Sequence, residues 1–106
     1  MFRITSGKGF QMKFGNGNTV SVQFGYGNYC ENRDKFPEAG RMRDWQGDPE
    51  EVSSSTAEIA AWSADGTWYE FGYDQVEGYV SADRVASFIE FVQSSDVSKD
   101  RWENPE

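Results

Sequence analysis

The chain has 106 residues and a net charge of −8, and it contains no histidine and one cysteine. One domain is expected at this length, and a Cys-His or Ser-His-Asp catalytic arrangement and a zinc site built from Cys and His are excluded within one chain. Because Cys30 has no partner for an internal disulfide, and no long apolar run indicates a signal peptide or membrane span, we expect a cytoplasmic protein without membrane contact.

Charge divides the sequence into two unequal parts. Through Arg43 there are seven basic and three acidic residues, a net charge of +4, and from Asp44 onward three basic and fifteen acidic residues, a net charge of −12. Such polarity orients a protein toward a charged partner and says little about its fold. Eight Phe, five Tyr and four Trp, with no leucine, must supply most of the core, which favours a sheet.

Residues 10–24 predict a first β-hairpin, because apolar and polar side chains alternate on both sides of Gly15–Asn18. A two-residue turn would mix the two faces, whereas an odd loop keeps them apart and pairs Phe14 with Val20 and Met12 with Val22. We expect a loop of three or five residues with a bulge, and a positive φ at Gly17 or Asn18.

A second hairpin is predicted from strands Thr56–Trp62 and Thr67–Phe71, with a turn at residues 63–66. Alternation would place Ala60, Trp62, Tyr69 and Phe71 on one face and Ile59, Ala61 and Trp68 on the other. Both faces are apolar enough to be at least partly covered.

A helix is predicted after Ser81, which is a good N-cap, and Asp83 lies where the first turn favours an anion. It should end near Ser94 or Ser95, and its apolar stripe is Val85, Phe88, Ile89 and Val92. The predicted fold class is therefore α+β, an antiparallel sheet of about four strands packed by one C-terminal helix. Residues 1–95 would form the domain, and 96–106 a polar tail that Trp102 could attach to it.

Two Gly-x-Gly-Asn segments, 15–18 and 25–28, follow the strands of the first hairpin. Backbone N–H groups in such loops can form an anion-binding concavity, although simple turns are the structural alternative. Two arginines beside an indole, at residues 41–45, could clamp a phosphate and stack a base, or could be surface charges beside a core tryptophan. The candidate ligand-binding residues are Tyr26, Asn28, Arg33, Arg41, Arg43 and Trp45.

The acidic part predicts a surface that binds a partner with a basic surface, with Glu50, Glu51, Asp74 and Glu77 as its candidates. Imitation of nucleic acid and plain solubility are the alternatives. Carboxylate pairs could bind magnesium, and Cys30 could be a nucleophile beside Arg33 or Lys35. Solvated charges and a small buried side chain are the commoner outcomes. We therefore expect no enzyme, no metal and no cofactor. Residues 31–55 show no sustained period and should be irregular.

The segments TVSVQFGYGNYC (19–30) and AEIAAW (57–62), with the Asp65-Gly66 turn, resemble short conserved proteins of phages and prophages that have no established function. By analogy, the resemblance implies a host-takeover or anti-defence role in the host cytoplasm. The resulting hypothesis is a non-enzymatic protein that binds and inhibits a host defence protein through a charged surface. Sequestration of an anionic small molecule, such as a nucleotide or signal molecule, is the alternative, and a small hydrolase is a more distant one. Direct nucleic-acid binding is not expected.

Overall fold

The computed structural model describes residues 1–5, 8–34 and 53–104. This part of the chain forms one antiparallel sheet in which five strands follow their sequence order, and one helix. The elements are β1 (Phe2–Ile4), β2 (Gly9–Lys13), β3 (Thr19–Gln23), β4 (Thr56–Trp62), β5 (Glu77–Ser81) and α1 (Ala82–Ser94). The α+β class, the antiparallel sheet and the C-terminal helix are confirmed, with five strands in place of about four.

In the first hairpin, the odd loop is confirmed. Phe14 N–H donates to the Asn18 carbonyl at 2.9 Å, and Gly17 has a φ of 91°. Phe14 consequently lies opposite Asn18, and Met12 lies opposite Val20. The expected pairs of Phe14 with Val20 and Met12 with Val22 are wrong by two residues, because the turn is tighter. The shift is even, so the apolar and polar faces stay separate.

In the second hairpin, the first strand is confirmed and the second is wrong. β4 occupies the predicted range, but after the turn the chain makes one isolated bridge, between Trp62 and Trp68. β5 pairs with β4 instead, and a register irregularity lies between Ala57 and Ile59. Because the chain leaves the sheet after this bridge, the edge of β4 stays open for β5.

The faces expected for this hairpin are also wrong. Trp62 pairs with Trp68, and Tyr69 N–H donates to the Ala61 carbonyl at 2.8 Å. The sequence predicts a face with Trp62, Tyr69 and Phe71 and an opposite face with Trp68, Ile59 and Ala61. This grouping requires a pairing that is one residue out of register with the observed one. A slip of one residue moves every side chain to the opposite face, so Tyr69 and Phe71 belong with Ala61 in the core.

The core lies between α1 and one face of the sheet, where the helix contacts β3, β4 and β5. Phe88 is fully buried, and its ring centroid lies 4.9 Å from that of Trp102 and 5.4 Å from that of Phe71. Val92 is equally buried, and Val85 and Ile89 pack at the margin, so the predicted stripe is confirmed. The buried sheet residues of this core are Val20, Val22, Ala57, Ile59, Ala61 and Val80.

Both ends of α1 agree with the sequence. Ser81 is the N-cap, and its hydroxyl accepts the Arg84 N–H at 3.3 Å. The helix ends at Ser94 with Ser95 as C-cap. Among the described residues, no helix has the length and apolar character needed to cross a membrane.

The chain after the helix packs on the body. Val97 and Trp102 are buried, Trp102 N–H donates to Tyr69 Oη at 3.0 Å, and its indole Nε1 donates to Ser87 Oγ at 3.1 Å. Trp102 thus attaches the C-terminal segment to the core. Of the stretch expected to be irregular, residues 31–34 form turns, and residues 35–52 lie outside the described residues.

Candidate functional site

The segment of residues 25–34, called loop 25–34 below, is attached to strands β4 and β5. Tyr29 N–H donates to Glu58 Oε2 at 3.1 Å, and Glu31 N–H donates to the Thr56 hydroxyl at 2.8 Å. On the β5 side, Tyr79 N–H donates to the Tyr29 carbonyl at 2.8 Å. The loop therefore has a defined position on the sheet, although it contains no regular element.

Three backbone N–H groups of the second Gly-Asn segment have acceptors within the protein. Gly25 N–H donates to Asn28 Oδ1, Gly27 N–H to the Arg33 carbonyl and Asn28 N–H to the Gly25 carbonyl, at 2.9–3.1 Å. The anion that this loop holds is the carboxylate of Glu58. An external anion would have to compete with these bonds for the same three N–H groups.

The first Gly-Asn segment caps the C-terminal end of α1. Asn18 Nδ2 donates to the carbonyls of Val92 and Ser95 at 2.9 and 2.7 Å, and Asn16 Nδ2 donates to those of Val92 and Gln93 at 3.1 and 2.9 Å. The last carbonyls of a helix lack partners within the helix and carry partial negative charge. Amide donors are therefore suited to this position, and an anion is not.

Loop 25–34 contains three of the six candidate ligand-binding residues. Tyr26 and Arg33 are exposed, Asn28 is half-buried, and the Arg33 guanidinium lies 5.5 Å from the centroid of the Tyr29 ring. The other three candidates, Arg41, Arg43 and Trp45, lie outside the described residues.

Two of the four candidate acidic residues, Asp74 and Glu77, lie in the described part of the chain. Glu77 Oε2 lies 3.3 Å from Arg84 Nη2, and these side chains are only 15% and 16% exposed. The carboxylate of Glu77 is thus paired within the protein. Asp74 is exposed, and its Oδ1 accepts the Gln75 N–H. Glu50 and Glu51 lie outside the described residues.

Three exposed tyrosines lie on loop 25–34 and on β5. Their exposed fractions are 40% for Tyr26, 46% for Tyr29 and 55% for Tyr79. The loop and the strand approach so closely that a Cβ on Gly78 would lie 2.6 Å from Tyr29 Cβ. We call Tyr26, Tyr29, Arg33 and Tyr79 the tyrosine surface.

Tyr79 has the backbone conformation of a strained residue. Its φ is 56°, and it is the one non-glycine residue with positive φ in the part of the chain that the structure describes. This conformation costs about 1–2 kcal/mol for a residue with a side chain. It is maintained by the bond to the Tyr29 carbonyl and by the burial of the next residue, Val80. Strain of this kind is concentrated at functional positions.

Sequence reasoning named Tyr26 and Arg33 but missed Tyr29 and Tyr79 as surface residues. One signal was present, because three of the five tyrosines directly follow a glycine: Tyr26, Tyr73 and Tyr79. Periodicity could not reveal the juxtaposition of loop 25–34 with β5, since the two segments are far apart in sequence.

One of the chemical alternatives, a reactive Cys30, has a structural outcome. Cys30 is 1% exposed, and its Sγ lies 3.7 Å from the Gly25 carbonyl oxygen, so it packs as a small buried side chain. Within residues 1–5, 8–34 and 53–104, no three His, Cys, Asp or Glu side chains are grouped as a metal site requires.

Comparison with known proteins found no matching family model, no similar curated protein and no similar solved structure.

Proposed function

We propose that this protein is a non-enzymatic binding protein that engages a partner protein through the tyrosine surface. The observation that supports this proposal is the grouping of exposed Tyr29 and Tyr79 across a backbone hydrogen bond, with Arg33 against the Tyr29 ring. Tyrosine and arginine are enriched among the residues that contribute most to protein–protein binding. A tyrosine ring buries a large area, and its hydroxyl keeps a hydrogen bond.

The tyrosine surface has a fixed backbone before any partner arrives. Loop 25–34 is bonded to Glu58 and Thr56 on β4 and to Tyr79 on β5. A preorganised surface loses little conformational entropy on binding, so more of the contact energy appears as affinity. The strained φ of Tyr79 fits this interpretation, because it holds the ring at the surface.

The proposed class of partner rests on the sequence. The resemblance to phage and prophage proteins supports a host protein as the partner and its inhibition as the outcome. Because Glu77 is paired with Arg84, we assign the main contact to the tyrosines, with Asp74 as an outlying charge. A basic partner surface stays compatible with the net charge of −8.

The proposal is tested by affinity capture from a host lysate, followed by binding measurements with the captured protein in purified form. We expect one partner with the parent protein and an affinity at least about ten-fold lower with Tyr29→Ala or with Tyr79→Gly. Glycine is the preferred replacement at position 79, because it adopts a positive φ without strain.

The matched control is Tyr73→Ala, which removes an exposed tyrosine from the segment that precedes β5. Its affinity should equal that of the parent. Parent-like affinity of both Tyr29→Ala and Tyr79→Gly would contradict the proposal. An equal loss in Tyr73→Ala would mean that exposed aromatic rings contribute without a defined surface.

A further inference from the structure

A groove of about 210 Å³ crosses strands β1 to β4 on the face of the sheet opposite α1. It is open on one side and is lined by Met1, Arg3, Gln11, Lys13, Thr19 and Trp62. None of these residues belongs to the tyrosine surface, to the candidate ligand-binding residues or to the candidate acidic residues named from the sequence.

Strand register explains why these side chains share a face. Lys13 pairs with Thr19 across β2 and β3, and Thr19 pairs with Trp62 across β3 and β4. Their sequence neighbours, Met12, Val20 and Ala61, belong to the core on the helix side. Alternation along each strand therefore sends the lining residues to the opposite face. Arg3 joins them from β1, where it pairs with Gln11.

Two cations of this groove, Arg3 and Lys13, have no counter-ion in the part of the chain that the structure describes. Arg3 and Lys13 are exposed, and neither forms an ion pair within the described residues. In the sheet they are diagonal neighbours, since Arg3 pairs with Gln11 and Lys13 is two residues further along β2. Diagonal neighbours lie about 7–8 Å apart, so two long side chains can reach one oxyanion. Bound there, an anion would relieve their mutual repulsion.

An aromatic surface lies beside the cations. Trp62 lines the groove, and its ring centroid lies 4.8 Å from that of Trp68 at an interplanar angle of 35°. Lys13 and Trp62 are separated by two strand spacings, about 10 Å. This is the separation of the two backbones, and the long side chains that project from them can contact the two ends of one nucleotide. An indole face is a suitable surface for stacking of a planar base.

We propose that this groove binds a nucleoside monophosphate, with the phosphate at Arg3 and Lys13 and the base against Trp62. The polar groups of Gln11 and Thr19, between these two ends, are available to hydrogen-bond the sugar or the base. The groove is smaller than the pockets of about 300–1,000 Å³ that enclose drug-sized ligands, so part of the nucleotide stays in solvent. The affinity is correspondingly moderate.

Titration calorimetry of the whole chain tests the proposal with adenosine monophosphate, adenosine and inorganic phosphate as separate probes. We expect a Kd below about 1 mM for the nucleotide and affinities at least about ten-fold lower for the two fragments. In Arg3→Gln/Lys13→Gln the nucleotide should bind no better than adenosine. In Trp62→Leu it should bind no better than phosphate, with thermal unfolding used to verify that each variant is folded.

A matched control separates the groove from general charge effects. Lys99→Gln/Arg101→Gln removes two exposed cations from the C-terminal segment and should leave nucleotide affinity unchanged. Absence of nucleotide binding at about 1 mM, phosphate binding as tight as that of the nucleotide, or an equal loss in the control pair would each overturn the proposal. A single-stranded oligonucleotide that bound more than about ten-fold tighter than the mononucleotide would also overturn it, by assigning the groove to nucleic acid strands.

Discussion

Two loops of this protein share the pattern Gly-x-Gly-Asn and have different roles. In residues 15–18, the side chains of Asn16 and Asn18 donate to the carbonyls at the end of α1. In residues 25–28, the N–H groups of both glycines and of Asn28 have acceptors within loop 25–34, and Asn28 Nδ2 lies 3.5 Å from Glu58 Oε1. One segment completes a helix, and the other positions exposed tyrosines.

The difference shows that a Gly-Asn loop has both side-chain amides and backbone N–H groups as hydrogen-bond donors. The acceptors that lie next to the loop decide which of these donors form bonds. A helix end presents carbonyls, so the first loop turns its amide groups inward, and Asn18 is buried. The Glu58 carboxylate of β4 lies next to the second loop, and it accepts the N–H of Tyr29. The residues between the two glycines also differ in role. Asn16 donates to a carbonyl at the end of the helix, whereas Tyr26 is exposed on loop 25–34.

The largest effect is expected from removing the amide of the buried asparagine. Asn18→Ala leaves the carbonyls of Val92 and Ser95 with fewer donors in a buried place, and should lower the free energy of unfolding by about 2 kcal/mol. Asn28→Ala, in the half-buried counterpart, should cost about 1 kcal/mol or less. Urea denaturation measures both. Equal losses would show that the two segments contribute to stability in the same way.

A matched pair of glycine substitutions sharpens the comparison. Gly17 and Gly27 have nearly the same φ, 91° and 86°, but a Cβ on Gly17 would lie 2.9 Å from Ala64 Cβ, whereas one on Gly27 would meet no atom within 4 Å. Gly27→Ala should therefore cost only backbone strain, about 1 kcal/mol, and Gly17→Ala should cost about 2 kcal/mol. Melting temperatures measured side by side check this order, and the reverse order would contradict the packing of the first loop against the 63–66 turn.

A smaller and more local effect is expected at Glu58. Glu58→Ala removes the acceptor of the Tyr29 N–H and should lower global stability by about 0.5–1 kcal/mol, because the bond is exposed. Hydrogen exchange at Tyr29 should accelerate more than exchange at Val92 in the helix. Glu58→Gln keeps an oxygen acceptor and should restore part of the protection. Unchanged exchange at Tyr29 in Glu58→Ala would mean that the carboxylate does not hold the loop.

The smallest effect is expected in a third loop, the 63–66 turn, where the Asp65 side chain accepts hydrogen bonds from neighbouring residues. Asp65 Oδ1 accepts hydrogen bonds from the Ser63 hydroxyl and from Thr67 N–H, and these lower the pKa of Asp65 below its usual 3.8. Because the pKa of Asp65 is lower in the folded protein than in the unfolded chain, ionised Asp65 stabilises the fold at a pH above the pKa of the unfolded chain. This contribution is lost as the pH falls through the pKa of the folded protein. Asp65→Asn should thus be slightly less stable than the parent at neutral pH. The difference should vanish in acid, and a difference that grows in acid would contradict this assignment.

Much of the local structure could be predicted from the sequence because the signals are local. The cap at Ser81, the stripe through Phe88 and Val92 and the bounds of β4 all depend on spacing within one element. The odd loop of the first hairpin also followed from alternation, although the exact pairing did not. Tyr26 and Arg33 are ligand-binding candidates because of the Gly-Asn pattern and the basic charge of the first part of the sequence, and both lie exposed on loop 25–34.

The tertiary structure decided what the segments do, because their partners are distant in the chain. Pairing of β5 with β4 across the intervening segment displaced the expected second hairpin and moved Tyr69 into the core. Contact between Tyr29 and Tyr79 created the tyrosine surface, and the register of β1 to β4 brought Arg3, Lys13 and Trp62 to one groove. Sequence alone determined which groups could donate, stack or carry charge. Which of them meet depends on long-range pairing, where a shift of one residue reverses the face of every side chain.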